Sequence, residues 1–300
     1  MMTLSNKQVI ELANQHNMQL VESSLKGNES GLDFQVVFTE EPSGDQWVLR
    51  IPRREDVIPR ANKEKRILDV VGRHLSVQTP NWSVFTDELI AYKRLTGIPT
   101  GTIDPQAKRY DWEIDDKNVP DQFHETLGKA MMELHQINHH EAEEAGMTMN
   151  TPVELQPSMK KRMDKVKQEF KIGEPLWGRW QRWLANDSFW PKHTAVIHGD
   201  LHPGHILINK QAEVTGLIDW TEGRVDDPAN DFVAHLAAFG EEALKQLIAA
   251  YQEAGGYVWP NMFAHIVELS AAYPVAIAEF AMISGMGEYK EMAQEALLAN

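Results

Sequence analysis

The sequence predicts an α+β protein of two lobes sharing a cleft: a small β-rich N-terminal lobe with an antiparallel sheet, and a larger, mainly helical C-terminal lobe. Three observations carry this. β-rich runs bounded by turn residues dominate the first hundred positions. Apolar residues beyond about position 120 recur at helical spacing. Between them, Thr96-Gly97-Ile98-Pro99-Thr100-Gly101 interrupts any continuing element. The boundary falls there, giving lobes of residues 1–95 and 96–300 with a hinge at about 92–100; 300 residues suffice for both.

Residues 5–17 read as a short helix with Val9, Ile10, Leu12 and Ala13 on its apolar face and Ser5 as cap. Residues 35–39 and 46–51 then read as strands, joined by the turn chemistry of Pro42-Ser43-Gly44-Asp45. Residues 61–75 return to helical period, with Ile67, Leu68, Val71 and Leu75 aligned. Residues 81–85 and 89–92 read as further short strands. In the second lobe, Phe123, Leu127, Met131 and Leu134 form one helical stripe, and Trp177, Trp180 and Leu184 another. Residues 240–254 and 261–299 suggest more helices. A β island at 195–220 interrupts them.

Composition narrows the function. The formal net charge is −15, with 44 acidic against 29 basic side chains. Such a surface repels a phosphate backbone and argues against a nucleic-acid partner, while it attracts a cationic small molecule. With no cysteine in the chain, disulfides, thiolate metal sites and thiol nucleophiles are excluded. No signal-peptide run opens the sequence and no stretch of about 18 uninterrupted apolar residues occurs, so no membrane partner and a cytoplasmic monomer are expected.

The β island holds the chemistry. Ala195-Val196-Ile197 leads into His198-Gly199-Asp200-Leu201-His202-Pro203-Gly204-His205, followed by strands at 206–208 and 214–218 around the polar loop 209–213. A hairpin folded symmetrically about Ala212 places His205 opposite Asp219, with Asp200 on the loop just before. Three polar side chains then converge at the mouth of an apolar ribbon. Phosphoryl transfer needs such a set: one carboxylate to take the acceptor's proton, and ligands for a divalent metal. Asp200 suits the first role; His205 and Asp219 suit the second.

This segment resembles the catalytic loop of the protein-kinase-like fold in its antibiotic phosphotransferase branch. The kinase His-Arg-Asp-x-x-x-x-Asn pattern corresponds to His198, Gly199, Asp200 and His205, and the metal-binding Asp to Asp219 in Ile218-Asp219-Trp220. Asp227-Pro228-Ala229-Asn230-Asp231 is similar to the Asp-Pro-x-x-Asp stretch of aminoglycoside-type kinases, which implies that Asp231 buttresses the loop; Leu134-His135 also fits. His205 stands where most of these kinases have Asn. Imidazole is an uncommon magnesium ligand, which leaves open a manganese preference or a catalytically silent nucleotide-binding protein. Yet Asp-Leu-His-Pro-Gly-His is the form found in macrolide 2′-phosphotransferases, and Leu49-Arg50-Ile51-Pro52-Arg53-Arg54 is similar to that subfamily as well.

The resemblance implies further roles. Gly27 and Ser30 would let backbone N–H groups approach phosphates, Arg50 would take the place of the strand lysine with Glu64 as its partner, and the segment holding Tyr92 and Leu95 would form the hinge that meets the base. It further implies Mg²⁺, GTP as donor with ATP as the alternative, and the 2′-hydroxyl of a macrolide amino sugar as acceptor; an aminoglycoside, amino alcohol or other small hydroxylated molecule is the alternative. Tyr257, Trp259, Met262, Phe263, Tyr273, Phe280, Met282 and Met286 could wall an apolar acceptor or fill a helical core. Trp177, Trp180, Trp183 and Trp190 suit packing between helices better than a sugar platform.

Overall fold

The computed structural model describes residues 3–28, 33–104, 107 and 109–298. Helix α1 (Asn6–Gln15) begins after Ser5, whose backbone N–H donates to the Gln8 side chain at 2.9 Å. Strands β1 (Lys26–Asn28), β2 (Phe34–Glu40) and β3 (Gln46–Pro52) follow, then α2 (Ile58–His74), β4 (Trp82–Phe85) and β5 (Ile90–Lys93). These five strands form one antiparallel sheet in the order β1-β2-β3-β5-β4. Strand period two divides β3 between two cores. Trp47, Leu49 and Ile51 pack with Val9 and Ala13 of α1. Val48 joins Ala61 and Ile67 of α2 on the other face, and Arg50 therefore points the same way, into the cleft.

The stretch expected to interrupt regular structure does more than that. It contains β6 (Ile98–Pro99), which pairs with residues 207 and 208 of the hairpin that follows Asp200. Gly97 has φ 102°, and a Cβ there would meet the Thr215 side chain and lie 2.8 Å from the Ile208 carbonyl oxygen. Only glycine lets the chain pass between the lobes at that point. Next come β7 (Gly101–Asp104) and β8 (Arg109–Trp112), an antiparallel hairpin that the sequence did not suggest.

The second lobe contains α3 (Asp121–His135), α4 (His139–Glu144), α5 (Pro152–Glu169), α6 (Glu174–Leu184), β9 (Ala195–Ile197), β10 (Ile206–Ile208), β11 (Val214–Leu217), β12 (Arg224–Asp226), α7 (Asn230–Glu253), α8 (Met262–Ala271), α9 (Tyr273–Ser284) and α10 (Gly287–Leu298). Helix α7 breaks at Gly240, whose φ is 83°. The core runs from α2 through α3, α6 and α7 to α10. By length and composition Met262–Ser284 is apolar enough to cross a membrane. It is nonetheless two helices, and their Glu268 and Glu279 pair with Arg179 at 2.8 Å and Arg162 at 2.7 Å.

The β10–β11 hairpin pairs Ile206 with Leu217 and Leu207 with Gly216, then shifts so that Ile208 meets Val214. His205 therefore lies opposite Ile218, whose N–H donates to its carbonyl at 3.0 Å, and not opposite Asp219. The loop explains the one-residue difference. Asn209 accepts from Gln211 N and Glu213 N, and Ala212 turns with φ 60°, so the hairpin does not pivot about Ala212.

Candidate active site

The loop carrying Asp200 is fixed from behind. Gly199 has φ 81°, and a Cβ there would lie 2.5 Å from the Arg224 guanidinium and 2.6 Å from the Glu222 carbonyl. Asp231, at the start of α7, is buried and accepts from His198 N and Gly199 N, one carboxylate oxygen each, both at 2.8 Å. His135 reaches the same carboxylate at 3.2 Å and contacts the Tyr251 hydroxyl at 3.0 Å with its other nitrogen. Burial opposes the charge on Asp231, but the His135 contact, the neighbouring His198 ring and the Gly199 N–H prevail, and its carboxyl lies below the usual carboxylate range.

His198 is fully buried. Its Nε2 faces the Ile218 carbonyl at 3.0 Å, an acceptor only, so this nitrogen carries the hydrogen and Nδ1 accepts from Asp200 N at 3.3 Å. Burial holds the ring neutral, with a pKa below the ordinary histidine value. His198 thus ties Asp200 to the end of the hairpin without facing the cleft itself.

In front of this frame stand the three predicted groups. The Asp200 side chain is half exposed. His205 Nδ1 donates to the Asp200 carbonyl oxygen at 2.9 Å, and its Nε2 lies 3.6 Å from Asp219 Oδ2. Asp219 is the first residue past the ladder, and its left-handed backbone, φ 64°, turns the carboxylate back toward His205. The juxtaposition therefore arises from this conformation, which Asp tolerates better than most residues, and not from ladder pairing. Burial raises the Asp219 pKa, but His205, Arg50 and a 2.9 Å bond from Thr221 outweigh it and hold the carboxyl low.

Arg50 and Glu64 form an ion pair at 2.7 Å, Glu64 being 1% exposed. The guanidinium also lies 4.4 Å from the Phe34 ring centroid. Burial disfavours the cation, yet Glu64 more than offsets this and raises its pKa. Arg50, Glu64, Tyr92, Leu95 and Asp219 all border one cavity of about 510 Å³ between the sheet and the catalytic hairpin. Burial pushes the Tyr92 hydroxyl up to about 12. Gly27 lies on the exposed strand β1, next to the cavity-lining Asn28; Ser30 lies outside the described residues.

Several contributors were not visible in the sequence. Thr221 lies between Asp219 and Glu64, 3.5 Å from the latter. Asp227 pairs with His265 at 2.6 Å, and His265 in turn accepts from Trp183 Nε1 at 3.1 Å. Trp180, Trp183 and Trp190 are buried, so that cluster is packing. The apolar C-terminal set divides: Trp259 and Met262 are core, whereas Tyr273, Phe280 and Met286 are exposed. Tyr110 and Trp112 on β8 stack at 4.6 Å beside the catalytic loop. Their only sequence signal is four residues of alternation, 109–112, too short to mark a strand.

The arrangement unites a cavity with a buried cation at its wall, a carboxylate–imidazole pair at its floor and an exposed carboxylate beyond, as transfer of a phosphoryl group requires. Known proteins share the fold. Residues 24–265 match the phosphotransferase enzyme family. The protein YcbJ of Bacillus subtilis (strain 168), described as uncharacterized, is 41% identical over 99% of this chain and 98% of its own. The apoenzyme of macrolide 2′-phosphotransferase MphH from Brachybacterium faecium superposes with TM-score 0.92 at 33% identity, covering 98% of this chain and 99% of that one. A macrolide 2′-phosphotransferase type I superposes with TM-score 0.89 at 39% identity over the full length of both. The chain has the kinase-like fold of these proteins and belongs to the phosphotransferase enzyme family.

Proposed function

We propose that this phosphotransferase moves the γ-phosphoryl group of a nucleoside triphosphate, GTP by preference, to the 2′-hydroxyl of the amino sugar of a macrolide antibiotic and so inactivates it. The observation that carries the reading is Asp200: a half-exposed carboxylate on a loop braced by Asp231 and His198, beside the His205–Asp219 pair. The resemblance over full length to two macrolide 2′-phosphotransferases supports the acceptor class. In this reading residues 1–95 hold the nucleotide, 96–300 hold the acceptor, and the hinge is at 92–100.

Asp200 orients the accepting hydroxyl and takes its proton as the new O–P bond forms and the bond to the leaving diphosphate breaks. Arg50, fixed by Glu64, meets the α and β phosphates; backbone near Gly27 and Ser30 covers them; the hinge around Tyr92 and Leu95 meets the base. His205 Nε2 and Asp219 Oδ2, 3.6 Å apart, would hold Mg²⁺ between them. Such an ion would neutralise charge gathering on the phosphate oxygens. His198 and Asp231 position Asp200 from behind.

Asp200→Ala is expected to abolish phosphate transfer from GTP to erythromycin, followed as nucleoside diphosphate release and product mass, while the circular dichroism spectrum stays that of the parent. Undiminished turnover in that variant would overturn the reading. A comparison of GTP with ATP, each with 14- and 16-membered macrolides, tests donor and acceptor together; no stimulation by any macrolide would remove the acceptor assignment.

A further inference from the structure

A third histidine of the loop, His202, takes no part in the scheme above. One of its ring nitrogens, one of His205 and a carboxylate oxygen of Asp200 lie within 4.8 Å of one another, close enough to suggest a shared ion. Hydrogen bonding assigns His202 differently. Its Nδ1 accepts from Gly204 N at 3.0 Å, so that lone pair is taken and Nε2 carries the hydrogen. Neither nitrogen is left for an ion. The ring lies instead against that of His205, centroids 3.8 Å apart and planes inclined at 43°. Its mounting is built into the 3₁₀ turn Pro203–His205, which His202 caps through the bond from Gly204. His205 N closes the turn on the His202 carbonyl at 2.9 Å. A Cβ on Gly204 would lie 2.7 Å from His202 Cε1 and 3.1 Å from its Nδ1, so glycine is what gives the ring its place. The turn also runs against β7. The same Cβ would lie 3.6 Å from the Gly101 carbonyl oxygen, and Thr100 N and Oγ1 both donate to the Ile206 carbonyl, at 2.8 and 2.9 Å.

We infer that His202 is a positioning residue: its ring braces the face of His205 and so sets the affinity of that imidazole for the divalent ion. This rests on the assignment of His205 and Asp219 as metal ligands above. The bond from His205 Nδ1 to the Asp200 carbonyl oxygen fixes one edge of the ring but lets its plane rock about that contact. A ring face at 3.8 Å stops the rocking on one side, and with it the drift of Nε2 away from Asp219. An asparagine at 205 would present no ring plane to hold, so the brace is a requirement of the imidazole. Groups that orient a metal-bound histidine are worth about 10–100-fold in metal affinity.

The test measures the affinity of the full chain for a non-hydrolysable GTP analogue by calorimetry, once with Mg²⁺ and once with EDTA. The parent is expected to bind more tightly with Mg²⁺, and His205→Ala to lose that gain. His202→Asn keeps an acceptor for Gly204 N without the ring, and His202→Ala removes both; each is expected to lose about 10-fold of the gain. Their affinity in EDTA, which reads the nucleotide cavity without the ion, should match that of the parent. A full magnesium gain in either His202 variant would leave the ring no part in metal binding and overturn the inference. A matching loss in EDTA would make His202 a folding element and overturn it equally. A gain absent from the parent, or kept in His205→Ala, overturns the metal assignment and the inference with it.

Discussion

Aspartate and histidine are paired on both sides of the loop that carries Asp200, to opposite effect. Behind it, Asp231 contacts His135 at 3.2 Å and Asp227 contacts His265 at 2.6 Å, all buried and with their remaining polar atoms taken up by backbone or neighbouring side chains. In front, His205 lies 3.6 Å from both Asp200 and Asp219, whose side chains are 51% and 49% exposed. That spacing is beyond a hydrogen bond. The same residue types thus serve as frame where every donor and acceptor is satisfied, and leave atoms open to a ligand where, as at His205 Nε2 and Asp219 Oδ2, they are not. Rigidity behind is what allows unsatisfied groups in front to keep their geometry.

Substitutions on the two sides should separate accordingly. Asp200→Asn is expected to reduce phosphate transfer by about 10²–10⁴-fold, the worth of a general base. Its unfolding free energy should stay within about 0.5 kcal/mol of the parent, because the side chain is half exposed. Parallel assays of turnover and urea denaturation check this; a large loss of stability would make Asp200 part of the frame. Asp231→Ala reverses the balance. It orphans the buried N–H groups of His198 and Gly199 along with His135, at a cost of about 3–5 kcal/mol in urea denaturation. If stability is unchanged, the frame rests elsewhere.

The frame and the working face were unequally legible. Asp200, His205 and Asp219 stood out because their spacing around a hairpin is unusual, and that survives a one-residue error in register. It survives because Asp219 adopts a left-handed backbone, which no sequence pattern reveals. The Arg50–Glu64 pair was readable only through the resemblance, which put a cation on that strand and a carboxylate on the following helix. Thr221, Tyr110 and Trp112 were not, since their placement depends on which chain segments meet. Helix α5 also escaped notice, its apolar face carrying only Leu155, Met163 and Val166 as buried residues over 18 positions. The Thr151–Glu154 capping box, with Thr151 N donating to Glu154 at 2.8 Å, was the signal available for it. Helix α7 begins at residue 230, ten positions before its readable apolar run, because the frame occupies its first turns.

One further pair of histidines belongs to neither side and should make the frame acid-sensitive. His124 and His235 are buried with ring centroids 5.2 Å apart, among Phe123 and Phe239. Both ring nitrogens of His124 and Nδ1 of His235 have no hydrogen-bonding partner. Burial lowers the pKa of His235 to about 3, with His124 acting in the same direction, and burial lowers that of His124 as well. A histidine depressed in the folded state binds its proton more readily when unfolded. Its contribution to stability is therefore complete above the unfolded value near 6.5 and is lost as pH falls toward 3. For His235 alone the loss from pH 7.5 to pH 5 is about 2 kcal/mol. Urea denaturation at the two pH values should show it, and His235→Leu, which has no proton to gain, should show a drop smaller by about that amount. An equal drop in parent and variant would assign the acid sensitivity to the other buried histidines whose pKa burial lowers, His124 and His198, because Asp231, with its low pKa, costs stability only as pH falls below the ordinary carboxylate range.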